Sequence, residues 1–270
     1  MPLPPLDELL ATARAAANGA AGLLVAGFGQ HRSQVGTKSS PTDMVTEMDR
    51  AAEAHIARVL TSRRPRDAMV GEEGTMRPGD SGVSWIVDPL DGTTNYLFGV
   101  PAYSVSIAAE FEGEVVVGVV VDPSRQETWS AMRGEGSSCN RQPLRLGPAG
   151  RQSGRPDVST ALIATGFSYL SDRRVQQAAL LVDVLPRVRD IRRFGSAALD
   201  LCWVAAGRLD GYYEWGVNPW DVAAGKLIAR EAGAETADLA DGTVVVAAPG
   251  LLESLLDLLK PGAVADAAGG

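Results

Sequence analysis

Trp85-Ile86-Val87-Asp88-Pro89-Leu90-Asp91-Gly92-Thr93-Thr94-Asn95 opens on an apolar, β-branched run and then meets Pro89, which cannot donate to a strand ladder. Asp91-Gly92-Thr93-Thr94 has the composition of a tight turn passing into a helix N-cap. Two carboxylates therefore stand at a strand end, beside the amides of a starting helix. Carboxylate oxygens are what Mg²⁺ selects and backbone N–H groups at a helix start bind phosphate, so this turn offers both halves of a metal–phosphate complex. A lone D-x-x-D-G is equally an ordinary acidic surface turn. Partners elsewhere in the chain decide between the two.

The 270 residues are 45% hydrophobic with 30 glycines, enough to bury a large core as one domain or two closely packed lobes. A net charge of −8 argues against a nucleic-acid surface, which needs clustered Lys and Arg. Met1-Pro2-Leu3-Pro4-Pro5 lacks the positive region of a secretory signal, and the apolar run at residues 19–28 is too short to span a bilayer, so no membrane association and a cytoplasmic location are expected. Cys139, Cys202, His31 and His55 form neither a zinc pattern nor a disulfide framework; both cysteines are expected reduced and buried.

Residues 6–26 have the Ala- and Leu-rich spacing of a packed amphipathic helix. After the polar segment 36–43, apolar periodicity starting at Met44 and continuing through Ile56 and Val59 predicts a second helix. Residues 67–74 read as a short strand ending in Glu72-Glu73, followed by a loop to Ser84. Residues 103–111 and 115–121 form a hairpin, and 126–133 extend the meander. Residues 141–156, with four arginines, read as an exposed connection between lobes. Beyond it strands at 159–165, 188–193, 210–214 and 243–247 alternate with helices at 172–185, after Gly195-Ser196, after Asn218-Pro219 and at 251–259; 261–270 is a small-residue tail. The organisation expected is one domain over 1–260, in lobes of about 1–145 and 146–260.

Four acids occupy comparable places, at strand ends or helix starts: Glu72, Asp88, Asp91 and Asp221. Brought together they repel, and divalent cations are their natural neutralisers. Gly71-Glu72-Glu73, the stretch 85–95 and Trp220-Asp221-Val222-Ala223-Ala224-Gly225 resemble, in order and spacing, the three signature blocks of the inositol monophosphatase family. The resemblance begins at Lys38-Ser39-Ser40-Pro41-Thr42-Asp43 and also takes in residues 134–140 and Gly195-Ser196-Ala197.

That resemblance implies an α+β fold, a layered αβαβα sandwich of the inositol monophosphatase / fructose-1,6-bisphosphatase type, and Mg²⁺-dependent, lithium-sensitive hydrolysis of small phosphate monoesters by a homodimer. Carried over by position, Glu72, Asp88, the carbonyl of Leu90, Asp91 and Asp221 would hold two or three Mg²⁺ ions. Thr93 bonded to Asp49 would orient or deprotonate the attacking water, with Glu73 and Lys38 near the metal-bound waters. Asp91 and the amides of Gly92 and Thr93 would face the phosphate. Glu214, seven residues before Asp221, and Ala197 would line the pocket of a phosphorylated polyol, with Ser168 near it. Inositol 1-phosphate is the expected substrate; fructose 1,6-bisphosphate, adenosine 3′,5′-bisphosphate and histidinol phosphate are alternatives. Arg189, Arg192 and Arg193 are candidate cations for a second phosphate, and Trp215 would narrow the pocket. A metal-binding scaffold of the same fold is the alternative of another class.

Overall fold

The computed structural model describes residues 3–29, 35–37, 44–147 and 157–260. Along the chain these are α1 (Leu6–Gly27), β1 (Val35–Thr37), β2 (Met44–Thr46), α2 (Glu47–Arg63), β3 (Ala68–Gly71), β4 (Met76–Arg77), β5 (Val83–Asp91) and α3 (Thr93–Phe98). Then come β6 (Ser104–Phe111), β7 (Glu114–Asp122), β8 (Glu127–Met132), β9 (Gly136–Cys139) and β10 (Gln142–Leu144). The rest is β11 (Leu162–Thr165), α4 (Ser171–Val184), β12 (Asp190–Arg192), α5 (Ala197–Ala205), β13 (Gly211–Trp215), α6 (Pro219–Ala232), β14 (Glu235–Asp238), β15 (Thr243–Ala247) and α7 (Leu252–Leu258).

An eight-stranded sheet, ordered β10-β9-β8-β7-β6-β5-β3-β4, is antiparallel except where β3 runs parallel to β5. A five-stranded sheet, ordered β12-β11-β13-β15-β14, has β11 parallel to both its neighbours. Strands with both faces covered read as continuous apolar runs, and β7 shows why. Val117, Val119 and Val121 pack toward α1, whereas Val120 joins the core around α5 and α6. Helices α1 and α2 cover one face of the large sheet, α5 and α6 fill the space between the sheets, and α7 lies on the outer face of the small sheet with the end of α4. This is the expected αβαβα sandwich.

Several local expectations are corrected. Residues 44–46 pair with 35–37 as strand, and α2 starts only at Glu47, so the apolar periodicity crossed a strand-to-helix junction. The supposed loop after Glu73 contains β4, and β9, β10 and β14 arise from short polar segments with no strand signature. Residues 142–144 of the expected connection are β10, while 148–156 and the tail 261–270 lie outside the described residues. Cys139 is half-buried rather than buried; both cysteines are free. Helix α1 is longer than the apolar run suggested: its 22 residues are apolar enough, by length and composition, to cross a membrane. In this fold Leu9, Ala13, Ala16, Ala17, Ala20 and Leu24 are fully buried under α2 and the large sheet, which makes it a core helix.

Candidate active site

The parallel pairing of β3 with β5 sets Gly71 opposite Val87, and the Glu72 N–H donates to the Val87 carbonyl (3.1 Å), so Glu72 and Asp88 leave adjacent strands at one level. Pairing of β5 with β6 shifts between Asp88 and Asp91, where Pro89 offers no N–H. The strand thus continues past Pro89 to Asp91 instead of stopping there. Asp88 Oδ1 accepts the Leu90 N–H (2.9 Å), which turns the backbone within the shift. Gly92 follows at φ 93° and is the N-cap of α3, making Thr93 the first helical residue and not the cap. A Cβ on Gly92 would lie 2.9 Å from the Ala102 carbonyl, so only glycine fits this left-handed turn.

Two other elements bring acids to the same place. Ser196 caps α5; its hydroxyl donates to Asp91 Oδ2 (2.6 Å), as does the Ala198 N–H (2.8 Å). Asn218, with Pro219 at the first turn, caps α6 in a reciprocal box in which Asp221 Oδ2 accepts the Asn218 N–H (2.6 Å). One cleft of about 340 Å³ is lined by Glu72, Asp88, Leu90, Asp91, Gly92, Thr93 and Asp221, together with Ala197, Ser168 and Glu214. Residues up to 149 apart in sequence, Glu72 and Asp221, therefore share one wall of chemistry.

Inside this cleft the carboxyls disturb one another. Burial, then repulsion from Glu72, Asp91 and Asp221, pushes Asp88 well above the usual carboxylate range. Burial likewise raises Asp221, with Asp91 as the next cause. Asp91 is raised by burial to about 6, against the Ser196 and Ala198 bonds that favour its charged form. Such a set invites a divalent cation, which replaces mutual repulsion by attraction, and its all-oxygen donors suit a hard ion. Among the described residues no three acids already stand in a coordination shell, so the donor chemistry fits a metal while the shell itself is not pre-formed.

Thr93 Oγ1 lies 3.0 Å from both Asp49 Oδ1 and the Leu90 carbonyl, two acceptors for its single proton, and all three residues are buried. Asp49 thus joins the site through Thr93. Glu73 does not line the cleft; its N–H donates to Glu53 Oε2 (2.8 Å). Lys38 lies outside the described residues. Glu214 is raised by burial to about 7, eased by a bond from the Tyr212 hydroxyl (2.9 Å) and by Arg193. Its carboxylate lies over Gly166, where a Cβ would come within 2.1 Å of it. Of the three arginines, Arg189 donates to the Thr160 carbonyl and Arg192 pairs with Asp190, while Arg193 alone lines the cleft. Trp215 lines it too.

Asp200 was not anticipated. It lines the cleft, is 1% exposed, and its Oδ1 has no hydrogen-bond partner. The signal was available: it is the single charged residue in Ala197-Ala198-Leu199-Asp200-Leu201-Cys202-Trp203-Val204-Ala205, every other member of which is apolar. Arg173 and Tyr169, also on the cleft, carry no comparable mark in the sequence.

The model of the inositol monophosphatase family matches residues 5–268. The Nus factor SuhB of Pasteurella multocida is 39% identical over 265 residues, 95% of this chain and 97% of that protein. The inositol-1-monophosphatase SuhB of Mycobacterium tuberculosis is 47% identical over 238 residues, 84% of this chain and 81% of that protein. The crystal structure of the extragenic suppressor protein suhB from Bartonella henselae superposes with a TM-score of 0.86 at 37% identity, covering 94% of this chain and 99% of that one.

Proposed function

The chain belongs to the inositol monophosphatase family, and we propose that it is a Mg²⁺-dependent phosphomonoesterase acting on inositol 1-phosphate. The observation that carries this reading is the meeting of Glu72, Asp88, Asp91 and Asp221 in one cleft beside the Thr93–Asp49 pair. Glu72, Asp88, Asp91, Asp221 and the Leu90 carbonyl would hold the metal, which when bound supplies Lewis acidity and neutralises phosphoryl charge.

The remaining work falls to the chain. Thr93 has one hydroxyl proton, and giving it to the buried Asp49 carboxylate leaves the oxygen's lone pairs to accept from a water and hold it for attack. The amides of Gly92 and Thr93, fixed by the left-handed turn, receive phosphoryl oxygens. Glu214 and Ala197 flank the leaving group, and a carboxylate there accepts bonds from the hydroxyls of a polyol. Of the two cleft arginines, Arg193 is shared with Glu214 and Asp200 and Arg173 lies over the Trp215 ring, which favours a hydroxyl-rich leaving group over a second phosphate. Glu73, set back from the cleft, supports the strand end. We further propose a cytoplasmic homodimer, for which the solution mass is the check.

Phosphate release from inositol 1-phosphate, with and without Mg²⁺, tests the reading. Asp91→Asn should lower kcat/KM on the order of 10²–10³-fold. Ranking inositol 1-phosphate against fructose 1,6-bisphosphate, adenosine 3′,5′-bisphosphate and histidinol phosphate fixes the substrate. Wild type inert on all four leaves the second reading, a metal-binding scaffold, for which the relatives named Nus factor SuhB are the support.

A further inference from the structure

Of the 14 residues of α4 only Gln177 and Val184 are buried, and Gln177 is the odd one: a polar side chain, 8% exposed, where packing ordinarily puts hydrocarbon. Its amide is engaged at both ends. Oε1 accepts the Ser168 N–H at 2.8 Å, and Nε2 donates to the Trp215 carbonyl at 3.2 Å. These two backbone groups belong to separate segments that line the substrate cleft, the loop after β11 and the end of β13.

Behind both segments lies a second cavity, of about 510 Å³, bounded by Gln177, Phe167, Leu180, Tyr213 and Trp215. The two cavities share Thr165, Gly166, Phe167 and Trp215, so the partition between them has open space at its back and not packed side chains. A wall without close packing behind it is held by its hydrogen bonds. Trp215 is itself anchored by its pairing with Thr243 of β15, so the Ser168 loop is the side that the crosspiece holds. Further ties, from Arg174 to the Ser168 carbonyl (3.0 Å), from the Trp215 indole to the Asp241 carbonyl (2.8 Å) and from Arg173 over the Trp215 ring (5.3 Å), lie at the exposed rim, where water competes.

We propose that Gln177 is a positioning residue that sets the width of the leaving-group side of the cleft by joining Ser168 to Trp215. Gly166, on which the Glu214 carboxylate rests, lies in the loop so fixed, and the placement of Glu214 against a polyol therefore depends on the same crosspiece. This inference rests on the phosphomonoesterase reading above.

Gln177→Leu removes both bonds at similar volume, and Gln177→Glu keeps the acceptor for Ser168 but faces the Trp215 carbonyl with oxygen. Gln177→Leu should raise KM for inositol 1-phosphate roughly ten-fold with kcat within about two-fold. KM for ethyl phosphate, whose leaving group is too short to reach the wall, should stay unchanged, and Gln177→Glu should fall between wild type and Gln177→Leu. Amide hydrogen exchange gives a readout independent of turnover: the Ser168 N–H should exchange roughly ten-fold faster in Gln177→Leu while β6 keeps its protection. Equal losses on both esters, or unaltered exchange at Ser168, overturn the proposal. Were wild type to cleave neither ester, the hydrolase reading would fall, and exchange at Ser168 would still decide whether Gln177 is the crosspiece.

Discussion

At the scale of single residues, Glu214 shows how burial sets a working range. Its ordinary value of 4.5 is raised to about 7 in the cleft. An acid that holds its proton more tightly when folded costs stability wherever it is charged: nothing well below 4.5, progressively more as pH climbs, and the full amount above about 7. Glu214→Gln should therefore stabilise the protein at pH 8, by on the order of 1–3 kcal/mol once water in the cleft is allowed for, and the gain should shrink by pH 5. Thermal melts of both proteins at the two pH values check this; an equal difference at both would assign the effect to another group. The same titration has a kinetic face. Only the charged form accepts two hydroxyl bonds, so KM for inositol 1-phosphate should fall as pH rises through about 7, and the fall should flatten in Glu214→Gln. Residue by residue, the meeting of Glu72, Asp88, Asp91 and Asp221 in one cleft was legible because these acids sit inside long signature blocks with strand-end and helix-start chemistry around them. Asp200 and Gln177 were not, because an acid in one helix and an amide in another gain meaning only from what the fold sets beside them.

At the scale of elements, short pieces are fixed by side chains that reach across the chain. Helix α3 has six residues, too few to stand alone. Asn95 holds it: Nδ2 donates to the Ala102 carbonyl (2.7 Å) and to the Phe194 carbonyl (2.6 Å), tying the Gly92–Thr93 turn to the segment that leads into α5. Asn95→Ala leaves two carbonyls without that donor and should cost about 1–3 kcal/mol, visible as a lower urea midpoint at unchanged slope, together with slower turnover from a loosened Gly92–Thr93 turn. Asn95→Asp, with no hydrogen to give, should be no better than alanine. The elements that were readable in advance, α1, the β6–β7 hairpin and α6 behind Asn218-Pro219, carry strong periodicity or cap chemistry. Those that were not, β9, β10 and β14, are three or four residues long and polar, and exist because a neighbouring strand offers a ladder edge. The false helix start at Met44 has the related cause that apolar residues of a strand can fall in phase with the helix that follows.

At the scale of the whole molecule, the cleft joins the two sheets. Asp88 and Asp91 end a strand of the eight-stranded sheet, and Asp221 begins α6, which lies between that sheet and the smaller one. The layering itself followed from the family resemblance; no local pattern specifies that α5 and α6 would be shared by both sheets. Without a cation these acids are buried at a mutual electrostatic cost, since each raises the proton affinity of the next. A divalent ion that binds only the folded arrangement stabilises it by mass action, about 2.7 kcal/mol at a hundred times Kd, and for a chain of this size that corresponds to roughly 5–10 °C in Tm. Mg²⁺ added to chelator-treated protein should produce that rise. Asp221→Asn is the informative control, because an amide oxygen at 221 can still accept the Asn218 N–H and keep the helix cap, while the charge contributed by α6 is gone. Its metal-free Tm should equal or exceed that of wild type, and most of the Mg²⁺ shift should disappear. A full shift in Asp221→Asn would place the ion on the first sheet alone and remove α6 from its shell.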